Sequence, residues 1–195
     1  MIAKQKLVWP LLALVAVVQS AALFDMVRAR DSLLKSGREI TLAVQPVDPR
    51  DLFRGDYVTL GYDISRLKAP NAQTDFAPGS LSAGSTVYVT LAGTADNSWK
   101  LTHVGSSFPS TVAPGEIVLK GRVNSTWKDE AAGETFINAR YGIENYFVPE
   151  GTGRVLEDKV RSHEIKAIIA VSGDGTAALK GLIVDGERHE DPPLL

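Results

Sequence analysis

The chain has no cysteine among its 195 residues. A thiol nucleophile, a CxxC metal site and a disulfide frame are therefore excluded. Histidine is nearly as scarce. His103, His163 and His189 lie scattered, without HxH or HxxxH spacing, so no zinc site is expected. A surplus of one charge is also missing: 21 Lys+Arg against 23 Asp+Glu give a formal net charge of −2. Nucleic-acid binding needs a basic field, and none is visible here. No cofactor signature stands out either, so cofactor, metal and nucleic acid are all expected to be absent.

What the chain does have is one long run without charge. Residues 7–24 read LVWPLLALVAVVQSAALF. A helix of that length covers roughly 27 Å, close to the hydrocarbon thickness of a bilayer. Trp9 sits near one end, as an interfacial ring does. Pro10 falls near the expected helix start, where its missing N–H costs least. An uncleaved transmembrane anchor is expected over two competitors. A buried soluble helix rarely runs this far without a charge. A cleaved signal peptide would use the small residues Ser20 and Ala22, but the run exceeds a usual apolar signal core. Lys4 and Lys6 precede the run, and Arg28, Arg30, Lys35 and Arg38 follow it, so basic-residue counting does not set the orientation. The layout is that of a signal-anchor: a short basic segment, an apolar run, then a folded domain. A single-pass protein of a bacterial inner membrane is expected, with its C-terminal domain in the periplasm.

The chain then divides into a tail (1–6), the anchor with a juxtamembrane extension (7–36), an extracytoplasmic β domain (37–187) and a disordered tail (188–195). Ser36-Gly37 ends the helix, with glycine in the usual C-terminal position. From Arg38 the apolar period drops to two. Ile40, Leu42 and Val44 mark one strand, and Val58, Leu60, Tyr62 and Ile64 the apolar face of the next. A long loop over 65–84 carries one helical turn near Ser65–Lys68. Residues 85–91 and 99–104 make a hairpin around Asp96-Asn97. Residues 116–123 alternate with Ile117, Leu119 and Val123 inward, turn at 128–133, and return over 134–143. A short helix is expected over 155–161, then a hairpin of 165–171 and 177–184 around Ser172-Gly173-Asp174-Gly175. From Glu187 the chain reads as frayed. The fold expected is mostly β, a sandwich or partly open barrel of about eight strands with one or two short helices.

The densest chemistry lies in residues 50–62. Gly55 can take positive φ, and Asp56 after it can accept backbone N–H bonds and fix a turn. Arg50 and Arg54 can pair with Asp51 or Asp56 in a self-satisfied turn, or hold a carboxylate or phosphate bidentately. A second cluster contains Tyr141, Glu144, Tyr146, Phe147 and Glu150. It reads either as an aromatic plug or as a groove rimmed by hydroxyls and carboxylates. Gly151 and Gly153 flank Thr152 before the expected short helix; a plain linker explains them as well as an anion site does. The candidate binding residues are Arg50, Asp51, Arg54, Asp56, Tyr57, Tyr62, Tyr141, Glu144 and Tyr146, and no residue is assigned as catalytic. Arg54-Gly55-Asp56 resembles a strand entry in Ser-Lys hydrolases of the signal-peptidase type. No Ser-Met pair precedes it, however, and Lys120 alternates outward, where it is not desolvated to act as a base.

Gly55-Asp56-Tyr57-x-x-Leu60-x-Tyr62 reproduces the pattern for which the GDYXXLXY family is named. Tyr141-Gly142-Ile143-Glu144-Asn145-Tyr146-Phe147-Val148-Pro149-Glu150-Gly151 is similar to that family's second signature. The resemblance spans residues 5–185. It implies a membrane-anchored protein of unknown biochemical role that accompanies multi-pass membrane proteins. The function expected is a non-enzymatic accessory or scaffold for such a partner. The alternative is an envelope enzyme or a ligand- or polymer-binding protein, with a cleft around the Gly55-Asp56-Tyr57 motif.

Overall fold

The structure is a computed structural model that describes residues 2–45, 57–69, 74–76, 80–95, 98–129, 134–147 and 165–190. One helix, α1 (Ile2–Ser36), leads into a domain built almost wholly of strands. It starts earlier than the apolar run does. Pro10 is therefore inside the helix rather than at its start, and one backbone hydrogen bond is lost there. Large side chains from Trp9 to Val27 are exposed along the helix. Over Trp9–Ser36 it is long and apolar enough to cross a membrane.

Eleven strands follow among the described residues, more than the eight expected. They are β1 (Arg38–Ala43), β2 (Tyr57–Thr59), β3 (Arg66–Ala69), β4 (Thr86–Gly93), β5 (Trp99–Gly105), β6 (Glu116–Asp129), β7 (Glu134–Arg140), β8 (Asn145–Phe147), β9 (Ile165–Val171), β10 (Ala177–Val184) and β11 (Glu187–Glu190). They form a four-stranded sheet β1-β9-β10-β11, a pair β2-β8, and a five-stranded sheet β3-β7-β6-β4-β5. Neighbours in every sheet are antiparallel.

A few backbone hydrogen bonds stitch the sheets into a curled half-barrel. Beyond β1, Gln45 and Gly61 exchange N–H to carbonyl bonds of 2.8 and 3.3 Å. On the other side, Lys120 N–H of β6 donates to Gly175 O in the β9–β10 turn at 2.7 Å. Inside lies one apolar cluster fed by all three sheets, including Ile40, Leu60, Leu67, Leu119, Ile137 and Ile169.

Several local expectations shift. The strand predicted over 58–64 stops at Thr59 and closes with a 3-10 turn at Asp63–Ser65. Its alternation survives, with Val58, Leu60, Tyr62 and Ile64 all buried. The helical turn expected at Ser65–Lys68 is instead strand β3, because Leu67 is fully buried between the exposed Arg66 and Lys68. β6 continues to Asp129, past a bulge between Val123 and Ser125. β7 ends at Arg140, where the chain turns. Residues 187–190, expected to fray, pair with β10. The predicted helix over 155–161 and the Asp96-Asn97 turn lie outside the described residues.

α1 does not end in a free linker. Its last turns lie against β9 and β10 on the sheet face opposite the core. Arg30 Nη1 donates to Ala177 O at 3.3 Å, and Lys35 pairs with the buried Asp31 at 2.7 Å. Gly37 serves by clearance, not by the left-handed backbone that the helix-end pattern predicts. A Cβ there would stand 2.6 Å from Leu33 O and 3.1 Å from Ala170 Cβ. This docking explains β9. Ile165, Ala167, Ile169 and Val171 face the core, while Ile168 and Ala170 are buried on the helix side. A strand covered on both faces reads as a continuous apolar run.

Candidate functional site

The two signatures, about eighty positions apart in the chain, meet. β2 pairs with β8 in the register Tyr57↔Phe147, Val58↔Tyr146 and Thr59↔Asn145. Leu60 N–H then donates to Glu144 O at 2.7 Å. Past this point the chains exchange tyrosines. Tyr62 Oη donates to Ile143 O at 2.8 Å, and Tyr141 Oη donates to Ile64 O at 2.7 Å. Each signature thus caps a backbone carbonyl beside the other's tyrosine. Both rings are buried, at 4% and 5% exposure.

Glu144 completes the joint. Its Oε1 accepts Tyr141 N–H at 2.6 Å and its Oε2 accepts Gly142 N–H at 2.9 Å. The tight turn this closes puts Gly142 at φ 78°, a conformation that favours glycine. On β6, Gly121 makes room for the tyrosine: a Cβ there would lie 2.8 Å from Tyr141 Cε1. Burial raises the pKa of both phenols above the ordinary value, and the negative charge of Glu144 adds to the rise. At neutral pH both tyrosines are therefore neutral hydrogen-bond donors. Their hydrogen bonds brace the core.

The other candidates are placed as follows. Tyr146 is half-buried against the core and Phe147 is 78% exposed. Tyr57 contributes its backbone to β2. Arg50, Asp51, Arg54 and Asp56 lie outside the described residues, so the charged half of the first signature has no geometry here. Of the nine candidates, the structure brings Tyr62, Tyr141 and Glu144 into one hydrogen-bonded joint, with Tyr146 on the adjoining strand pair. Among the described residues, no three His, Asp or Glu side chains gather as metal ligands.

Composition and period gave no warning of a groove beside the helix. It is open, about 670 Å3, and lies between α1 and the domain. Ala29, Ser32 and Leu33 line one wall, and Phe108, Val112 and Val118 the other. Phe108 and Val112 remain more than a third exposed at its rim. Its sequence signal is the row of small residues on the last helical turns, which let another surface approach.

Fold and joint together define a class of protein: a half-barrel β domain carried on an apolar N-terminal helix, with two tyrosine signatures locked across its core. The model of the family described as GDYXXLXY protein matches residues 19–182. The chain belongs to the GDYXXLXY family. No curated protein and no solved structure matches it.

Proposed function

We propose that the protein is a membrane-anchored extracytoplasmic β domain. It acts as a non-enzymatic accessory or scaffold for a multi-pass membrane protein. The observation that carries this reading is the docked helix. α1 runs without a break from its exposed apolar stretch into turns packed on β9 and β10. A flexible tether would let the domain roam, whereas a docked helix fixes its stance close to the bilayer. That stance suits a protein that must meet a neighbour in the same membrane. The groove beside α1 opens next to the helix, where an extramembrane part of such a neighbour would arrive. The described signature residues support a non-enzymatic role, because Tyr62, Tyr141 and Glu144 are committed to backbone groups. The periplasmic placement rests on the signal-anchor layout. A C-terminal reporter active only in the periplasm tests it, and activity of a cytoplasm-only reporter at the same site would overturn it.

Co-purification in mild detergent tests the scaffold role. A multi-pass membrane protein is expected to elute with the chain in fixed proportion. Elution alone and monomeric, from cells that also make the multi-pass candidate, would overturn the reading.

A further inference from the structure

The outer face of the five-stranded sheet carries a stripe of side chains that neither the fold nor the signature joint uses. On β7 the core-facing residues are Thr135, Ile137 and Ala139, so Phe136, Asn138 and Arg140 point outward. The register of β6 places Trp127 opposite Phe136, Ser125 opposite Asn138, and Arg122 opposite Arg140. Along the strands the stripe therefore reads aromatic pair, amide and hydroxyl, guanidinium pair. It extends about 13 Å from Phe136 to Arg140. Trp127 and Phe136 stack with centroids 5.2 Å apart, and Trp127 stays 41% exposed. Arg66 lies over the Trp127 ring at 5.8 Å, and Lys68, paired with Glu134, lies over the Phe136 ring at 5.7 Å.

The guanidinium pair is the unexplained part. Like charges directly opposite on neighbouring strands are destabilising, yet Arg122 and Arg140 occupy such a pair and both are exposed. The salt bridges among the described residues use other cations. Such a pair suits an anion brought from outside, because guanidinium forks match carboxylate and phosphate oxygens.

We propose that this stripe binds an acidic glycan of the cell envelope, with a sugar against the exposed edges of the stacked Trp127 and Phe136 rings and an acid group held by Arg122 and Arg140. Asn138 and Ser125 lie between, placed for sugar hydroxyls. A peptide fits less well. β4 pairs with β6 no further than Val123, so among the described residues the outer edge of β6 is open past that point. A strand added there would be held by backbone bonds at the edge, whereas Arg122 and Arg140 stand on the sheet face. The inference shares with the scaffold reading only the extracytoplasmic placement, which the reporter fusion tests separately.

The test uses the full chain in phosphatidylcholine nanodiscs, with polygalacturonate as the probe and neutral dextran as its control. Binding to polygalacturonate alone is expected, weakening as salt rises. Arg122→Gln with Arg140→Gln should weaken it about tenfold or more, the scale for losing hydrogen bonds to a charged group. Trp127→Ala should also weaken it, while Lys166→Gln, which removes one charge from the other sheet, should not. Unchanged thermal unfolding of each variant shows that the fold is intact. The proposal is overturned by no binding, by an equal loss with Lys166→Gln, or by stronger binding to polyglutamate or to soluble short-chain phosphatidylglycerol than to polygalacturonate.

Discussion

Removing one hydroxyl from the signature joint should cost stability well beyond the atom removed. In Tyr141→Phe the ring stays, Ile64 O loses its donor, and the site is too buried for water to replace it. Leaving a buried acceptor unpaired costs about 1–3 kcal/mol, and Tyr62→Phe should cost the same through Ile143 O. For a chain of this size each kcal/mol lowers Tm by about 2–4 °C, so each variant should melt roughly 2–12 °C lower. The two bonds close one joint, so the double variant should lose less or more than the sum of the singles by at least about 0.5 kcal/mol. Tryptophan fluorescence during thermal unfolding of the detergent-solubilised chain reads all three. The pH profile adds a second check. Both phenols have raised folded-state pKa values. Their contribution is therefore complete below the unfolded tyrosine value of about 10 and is lost as pH rises above it. Tyr141→Phe should flatten that alkaline loss. If both phenylalanine variants melt within 1 °C of the parent, the tyrosines are not a brace and the reasoning fails.

Gly121→Ala should destabilise by about 1–3 kcal/mol, since the new methyl meets a buried ring that has no space to retreat; chemical unfolding measures it. Glu39 accepts a bidentate pair from Arg188, at 2.8 and 2.7 Å, and a third bond from Lys180 at 3.1 Å. The Arg188 bonds lead in lowering its pKa to about 2. That contribution is present above about pH 4.5 and is lost as pH falls through about 2. Because the carboxylate is over a third exposed, Glu39→Gln should cost only about 1 kcal/mol or less at pH 7 in low salt, and less at high salt. Gly37→Val should lift the last turns of α1 off β9, because the new side chain would meet Ala170 Cβ of β9, 3.1 Å from the added Cβ, and Leu33 O of the helix end at 2.6 Å. Limited trypsin digestion should then cut after Arg30 or Lys35, which the parent protects.

Much of the domain was legible because half-buried strands write their burial into alternation. Ile40, Leu42 and Val44 did so, as did Val58 through Ile64 and Ile117, Leu119 and Val123. The helix was legible because its apolar run has no charge. Less visible was anything depending on a second surface. Residues 165–171 hide the docking of α1, because strands covered on both faces look alike whatever covers them. Gly37 and Ala170 announce nothing, since small residues permit contact without requiring it. The span of β3 rested on a single inward side chain, Leu67, too little for a period. The joint between the signatures could not be read at all. A tyrosine bonded to a carbonyl nearly eighty residues away leaves no local pattern, although each tyrosine stood out as a candidate. The stripe on β6 and β7 was present in the outward half of the same alternation that revealed the core, but only the register sets Arg122 against Arg140.

Site-specific photo-crosslinking from Ser32 tests the central claim most directly. Ser32 is exposed on α1 and lines the groove between helix and domain. With a photoreactive residue at that position in living cells, the scaffold account predicts one dominant adduct to a multi-pass membrane protein, absent when the residue is placed at Lys166 on the domain surface. Adducts only to lipid or to a second copy of the chain, with the multi-pass protein present in the same membrane, would contradict it.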